Sequence, residues 1–243
     1  MKVEPLISCL CVTRGRTHLL QRAIRSFRDQ IYTHKELVII YESDDSATGE
    51  FLKGVTDSNI YKIEVPALPR HTLGQLRNLA VSKSSGEYFC QWDDDDFSHN
   101  ERLSFQMKVL QQSGLPACVM VHWLVFDEFR GQAYISNMRP WEGSIMCRKS
   151  LVGDEIKYED QSKGEDTPLI NKLFSKNLIF PIVMPKLYVY VFHGDNVWTE
   201  EHWDNIFKAS KKLSDDSSRV IKEILDGKYT GDEASSLLDQ LVE

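Results

Sequence analysis

The stretch LGQLRNLAVSKSSGEYFCQWDDDDF, residues 73–97, decides the fold. Its first half carries Leu76, Leu79 and Ala80 at roughly helical spacing. A Ser-Ser-Gly break then gives way to EYFCQWD, an aromatic-rich run of strand character. The strand ends in four consecutive aspartates, Asp93 to Asp96, and open α/β sheets bind their ligands at such carboxyl ends. Neighbouring carboxylates repel one another unless a cation offsets them. Oxygen-rich sites suit Mg2+ or Mn2+, ions that bind one or two carboxylates together with substrate phosphates. The alternative is a solvated acidic turn capping the next helix, because helix N-termini favour acids.

Upstream, LISCLCVT, ELVIIYE and NIYKIEV are three further strand candidates, and THLLQRAIRSFRDQ places Leu19, Ala23, Ile24 and Phe27 on one helical face. Alternation of this kind is the pattern of βαβ units in a largely parallel sheet. Downstream, Ser98 with Glu101 makes a capping-box pattern for a helix NERLSFQMKVLQQ that Gly114 should end. PACVMVHWLVF reads as one buried strand, FDEFRGQAYIS as a hairpin around Gly131 and GSIMCRK as another strand. From about Glu200, HWDNIFKASKKL, SSRVIKEIL and EASSLLDQLV form a charged helical tail with Asp-Gly and Thr-Gly breaks.

Composition bounds what this fold can do. A chain of 243 residues with 42% hydrophobic content buries one substantial core. Its net charge of −7 argues against nucleic acid as a partner, which needs clustered Lys and Arg. The five cysteines are odd in number and sit in apolar runs, as reduced core thiols do. MKVEPL lacks the features of a signal peptide, and no apolar run reaches a bilayer span of ~20 residues, so a cytoplasmic location is expected.

Residues 73–97 resemble the central signature of family 2 glycosyltransferases with the GT-A fold, in which an Arg-Asn helix leads through Gly-Glu-Tyr into a strand ending in Asp-x-Asp-Asp. The resemblance implies a GT-A-like (Rossmann-like) α/β fold with a mixed sheet flanked by helices. It places Arg77 and Asn78 beside a nucleotide-sugar, Asp93 near the donor ribose and Asp95 on a Mn2+ or Mg2+ ion that bridges the diphosphate. Asp94 fills the variable position, and Asp94 and Asp96 are the alternatives if the register is off by one. CVTRGR resembles the family's first-strand segment and puts Thr13 and Arg16 near the nucleotide, although the usual proline and Tyr-Asn pair are missing. YESDDSATGE stands where the family shows Val-Asp-Asp-Gly-Ser, so Glu42 or Asp44 takes the base-contacting position. The alternative for either is a polar turn.

GEDTPLINKLF resembles the Glu-Asp motif of inverting members, which makes Asp166 the base and sets Glu165 at the acceptor or sugar. An inverting transfer needs one carboxylate to deprotonate the attacking hydroxyl; an acidic helix N-terminus before Pro168 is the bland alternative. VYVFHGDNVW resembles a late His-x-x-Asn element in which a histidine, here His193, completes the metal site. In RPWEGSIMCRKS, Trp141 could stack on a sugar face and Glu142 could bond a hydroxyl, or Trp141 is a core residue in a turn. Trp203, Ile206 and Phe207 share a helical face that would either touch a membrane carrying a lipid-linked acceptor or, as the acidic tail favours, pack against the domain.

The expected organisation is a nucleotide-sugar-binding half at 1–97, an acceptor-binding half at 98–199 and a helical tail at 200–243. The expected function is metal-dependent transfer of a sugar from a nucleotide-diphosphate donor, uridine diphosphate by resemblance, to a hydroxyl of a glycan or lipid-linked acceptor, with inversion. A sugar nucleotidylyltransferase would need a Gly-rich basic loop after the first strand, and CVTRGRTH has only Gly15. A non-catalytic nucleotide-sugar or glycan-binding module is the third possibility.

Overall fold

The computed structural model describes residues 4–241. The first three residues of MKVEPL and Val242 of the tail lie outside the described residues. In chain order the elements are β1 (Ile7–Val12), α1 (Thr17–Arg28), β2 (Lys35–Glu42), α2 (Ser46–Lys53), β3 (Ile60–Val65), α3 (Leu73–Lys83), β4 (Tyr88–Gln91), β5 (Phe97–Ser98), α4 (Arg102–Ser113), β6 (Ala117–His122), β7 (Leu124–Asp127), β8 (Gln132–Ile135), β9 (Trp141–Arg148), α5 (Thr167–Ser175), β10 (Ile179–Val183), β11 (Tyr188–Phe192), α6 (Glu200–Ala209), β12 (Lys211–Lys212), α7 (Asp215–Leu225) and α8 (Gly231–Leu241).

A seven-stranded sheet runs in the order β10-β6-β9-β4-β1-β2-β3. Only β9 is antiparallel to its neighbours, so this is a mixed α/β sheet with helices on its faces. Its central strands are buried on both sides, which is why ISCLCV and KELVIIYE read as near-continuous apolar runs. β1 and β4 pair in parallel with Leu10 opposite Gln91, and the chain reverses its strand order there. Loops leaving these two strands diverge and open a crevice, the usual ligand position in such sheets.

A second, five-stranded sheet, β12-β8-β7-β11-β5, forms a floor beneath the acidic run. PACVMVHWLVF is therefore two strands, not one: β6 belongs to the first sheet and β7 to the second, with Trp123 fully buried at the crossing. An unbroken apolar run is what a segment needs to cross from one core to another, so its pattern hid the break. The expected capping box at Ser98 is likewise absent. Ser98 belongs to β5 and accepts from Arg102 Nη1 at 2.9 Å, and α4 starts at Arg102 without a side-chain cap. The capping box lies earlier, at Thr72 and Gln75, where it starts α3. Gly114 does end α4, in the left-handed conformation. Helix α2, within the run read as a polar turn, is capped by Asp45, which accepts from Thr48 N at 3.2 Å.

The tail packs down. Trp203, Ile206 and Phe207 of α6 are all buried, so that face is used inside the protein and is not free for a membrane. Among the described residues no helix is long and apolar enough to cross a bilayer.

Candidate functional site

The four aspartates after β4 point in four directions, each fixed by a different partner. Asp93 Oδ1 accepts from Arg77 Nη2 at 2.9 Å, and Oδ2 from Gln91 Nε2 at 3.2 Å. Asp94, 1% exposed, takes Thr13 Oγ1 at 2.6 Å on one oxygen and Arg16 Nη2 at 2.7 Å on the other. Asp95 Oδ2 lies 2.9 Å from Arg16 Nη1 and 3.1 Å from His193 Nε2. Asp96 turns inward, accepting from Tyr188 Oη at 2.5 Å and Val191 N at 2.9 Å, which ties the acidic loop to β11. Asp96 is thereby spent on structure and is no longer a reserve ligand.

These surroundings separate the acids electrostatically. Burial and then the Asp95 charge push Asp94 up to about 7 against Arg16 and the Thr13 hydrogen bond. Burial would raise Asp95 as well, but His193 and Arg16 outweigh it and bring Asp95 down to about 2. Of these two, Asp95 is the one held as an anion. His193 is presented by a closed loop in which its own N donates to Asn196 Oδ1 at 3.0 Å and Asn196 Nδ2 donates to Val191 O at 3.0 Å.

Across the cleft, Glu165 and Asp166 begin α5 and do different things. Glu165 is buried and its Oε1 accepts from Arg77 Nε at 2.7 Å, so Arg77 bridges Glu165 and Asp93. Asp166 sits at the N-cap position without capping the helix, and its partly buried carboxylate faces the cleft. Burial first, then the neighbouring Glu165 and Glu142 charges working against Arg77, push it up to about 7. The loop ahead of α5 is pinned to α3: Gly74 N donates to Gln161 O at 3.0 Å and Thr72 Oγ1 to Asp160 Oδ1 at 2.7 Å. Gly74 is needed here because a Cβ would come within 1.7 Å of Glu159 O. Gly143 serves the opposite wall, where a Cβ would stand 2.9 Å from Asp93 Oδ2.

Together Arg16, Arg77, Asp93 to Asp96, Trp141, Glu165 and Asp166 line one open cleft, along with Asn196, Val197 and Trp198. Glu42 and Asp44 lie beside it at the end of β2, clamped by two arginines that the sequence did not single out. Arg14 reaches Glu42 Oε2 at 2.6 Å and Asp44 Oδ2 at 2.9 Å, and Arg70 reaches the same two atoms at 3.0 and 2.9 Å. Glu42 Oε1 is buried without a hydrogen-bond partner.

Other expected contacts go elsewhere. Both amide atoms of Asn78 are taken by the Tyr158 backbone, at 2.8 and 3.1 Å, so it holds a loop and not a nucleotide. Glu142 Oε1 accepts from Thr167 Oγ1 at 3.4 Å, toward the start of α5. Trp141 cannot serve as a stacking platform. Its ring packs against Trp123 at 5.4 Å and Tyr190 at 4.1 Å and is 9% exposed, which leaves an edge and no face for a sugar.

Among the described residues no group of three or more His, Cys, Asp or Glu side chains is arranged as a metal cage. The Asp95–His193 pair nonetheless fits an ion that draws its remaining ligands from substrate. Two adjacent ligands of an octahedral ion, each at ~2.1 Å, stand about 3 Å apart, and these donor atoms are 3.1 Å apart.

Solved structures share this fold. S. aureus TarS 1-349 in complex with UDP-GlcNAc superposes with a TM-score of 0.64 over 97% of this chain and 71% of that one, at 14% identity. The mannosyltransferase PcManGT from Pyrobaculum calidifontis, in complex with GDP-Man and Mn2+, gives 0.61 over 99% and 74%, at 13% identity. Such identities speak for the fold alone. In sequence, a putative colanic acid biosynthesis glycosyl transferase, WcaA of Escherichia coli K12, is 26% identical over 168 residues, 64% of this chain and 57% of that protein. An uncharacterized glycosyltransferase of Haemophilus influenzae is 27% identical over 119 residues, 49% of this chain and 46% of that protein. The chain thus spans about half the length of the curated relatives it matches. Because the sequence profile of glycosyl transferase family 2 matches residues 8–170, two thirds of the chain with the acidic run and the Glu165-Asp166 pair of the cleft, the protein belongs to that family.

Proposed function

We propose that the protein transfers a sugar from a uridine-diphosphate donor to a hydroxyl of a glycan or lipid-linked acceptor, with inversion and with Mn2+ or Mg2+ bound. One observation carries the reading. A single cleft is lined both by Asp95, which His193 contacts from behind the lining, and by Asp166, a carboxylate with no ion-pair partner among the described residues. Family membership favours this over nucleotidyl transfer.

Asp166 takes the proton of the attacking hydroxyl. A base poised near 7 is suited to that task, because a good part of it is ionised near neutral pH and it is still basic enough to accept a proton. Glu165 acts through Arg77, whose guanidinium spaces the Asp166 wall from Asp93 and holds Asp93 toward the donor. Asp95 and His193 would hold the ion, which when bound offsets the charge that grows on the departing diphosphate. Arg16, already across Asp94 and Asp95, is the nearest cation for a phosphate oxygen. Attack from the Asp166 wall, opposite the diphosphate, inverts the anomeric carbon.

Glu42 supports uridine. Its Oε2 is occupied by Arg14 and Arg70, while Oε1 has no hydrogen-bond partner and faces His71 Nδ1 at 3.8 Å. One acceptor matches the single imide N–H of uracil, whereas guanine offers two adjacent donors that need both carboxylate oxygens. On this reading residues 1–97 bind the donor, 98–199 the acceptor, and the tail braces the acidic loop. The five buried, unpaired cysteines suit a reducing cytoplasm.

Calorimetry with uridine and guanosine diphosphates, with and without Mn2+, tests the site on the wild type and on Asp95→Asn. Metal-dependent uridine diphosphate binding that the variant loses is the expected result. Binding of neither nucleotide under any metal would sink the reading, and nucleotide binding without transfer or donor hydrolysis would leave a glycan-binding module.

A further inference from the structure

We propose that the rim formed by Trp198, Lys163 and Arg139 is the acceptor subsite and that it takes a saccharide carrying a negative charge, a uronate or a sugar phosphate. This rests on the reading of Asp166 as the base.

With Trp141 enclosed, Trp198 is the aromatic side chain left to offer a ring at the edge of the cleft. It is partly buried and its ring lies parallel to His202 of α6, at 4.3 Å and 17°, so its orientation is set by a helix and not by the loop alone. The same ring stands beside the base. A Cβ on Gly164, two residues before Asp166, would lie 3.8 Å from its Cη2 and Cζ2 atoms. A pyranose laid on this ring would bring its hydroxyls toward Asp166, since apolar C–H faces of sugars pack on aromatic surfaces while their edges stay polar.

Charge names the class of sugar. Lys163 Nζ lies 4.6 Å from the centre of the Trp198 ring, and the Arg139 guanidinium lies 5.3 Å from that of Trp123, the ring packed behind Trp141. Both cations are near enough to His202 to add to burial in holding its imidazole below the ordinary value. Neither Lys163 nor Arg139 has an ion-pair partner among the described residues, in a chain with 36 acidic side chains against 29 Lys and Arg. On the floor of the cleft the arginines are paired with carboxylates of the protein itself. Two unpaired cations, Lys163 over the Trp198 ring and Arg139 near the His202 that stacks on it, are matched by an anion supplied from outside, and a neutral glycan would leave both without a role.

Saturation-transfer NMR on the full chain, without nucleotide, compares p-nitrophenyl β-glucuronide, p-nitrophenyl β-glucoside and p-nitrophenyl β-glucoside 6-phosphate. An anionic glycoside should bind more tightly than the neutral one, and whichever of the two anions is tighter names the charged group. Trp198→Ala and the Lys163→Gln/Arg139→Gln pair should each weaken the anionic glycoside about tenfold, equivalent to about 1.4 kcal/mol, while Trp198→Phe keeps most of the affinity. Calorimetric binding of uridine diphosphate with Mn2+ should be unchanged in all three. Equal affinity for the neutral glycoside, or anionic binding that none of the variants alters while their melting temperatures hold, overturns the assignment. Nucleotide binding that falls in step with Trp198→Ala also overturns it, by placing the ring in the donor site. A wild type that binds no uridine diphosphate strikes the donor reading instead, and the glycoside comparison still decides the subsite.

Discussion

On the floor of the cleft each carboxylate is held by a cation or a hydrogen-bond donor: Arg77 spans Asp93 and Glu165, Arg16 spans Asp94 and Asp95, and Tyr188 with Val191 holds Asp96. At the mouth, Asp166, Lys163 and Arg139 make no ion pair among the described residues, and Trp198 keeps part of its ring open. The floor is already paired before any substrate arrives, because buried charges without partners would be too unfavourable to keep. Groups at the rim are near water and can wait for a substrate to pair them. A preorganised floor suits a constant diphosphate, and an adaptable rim suits an acceptor.

The contrast breaks most visibly at its one isolated acid. Asp166→Asn should lower the transfer rate by about 10²- to 10⁴-fold while uridine diphosphate binding, read by calorimetry, stays near wild type. Equal loss of binding would move Asp166 from the mouth to the floor.

On the floor the larger effect should be on stability. Arg77→Met leaves Asp93 and Glu165 facing each other without a cation, and denaturant unfolding should show a loss of about 3–5 kcal/mol. A loss below about 0.5 kcal/mol, the range of ordinary surface changes, would mean that the bridge is not what holds the two walls together.

A smaller change is expected beside the cleft. Glu42→Gln keeps an acceptor for uracil but removes its charge and loosens Arg14 and Arg70, so uridine diphosphate affinity should fall about tenfold. Affinity for guanosine diphosphate should barely change, and a parallel fall in both would show that Glu42 does not read the base.

The smallest effect is one of pH. The folded protein retains the Asp166 proton up to about pH 7, whereas an unfolded aspartate releases it near 4. Folded-state stability should therefore decline as pH rises from about 4 through 7, and Asp166→Asn should lessen that decline, leaving the share that Asp94 contributes. Over the same range kcat/KM should rise toward a plateau above about 7 as the base becomes free. A melting profile identical in wild type and variant would show that the Asp166 carboxyl is not perturbed.

Strand and helix positions around residues 73–97 were legible because they depend on local periodicity and on a break at Gly86, and these survive into any tertiary context. Asp95, His193 and Asp166 were legible as types at matching places in a family pattern. The split at Trp123 was not, since a residue buried in two cores has the same apolar neighbours as one buried in a single strand. Nor was the capping box at Thr72 and Gln75, because Ser98 and Glu101 carry the same spacing.

By itself, the sequence determined that a strand ends in clustered acids at the ligand-binding edge of an α/β sheet, that a Glu-Asp pair opens a later helix, and that the family is glycosyl transferase family 2. Tertiary structure alone decided what each acid does. Whether a carboxylate is paired, buried or free depends on which arginine reaches it from tens of residues away, as Arg16 reaches Asp95, Arg77 reaches Glu165 and Arg14 reaches Glu42. The same holds for the aromatics. Trp141 and Trp198 are both plausible sugar platforms in a string of letters, and only packing shows that one is covered by Trp123 and Tyr190 while the other keeps part of its ring open at the edge of the cleft.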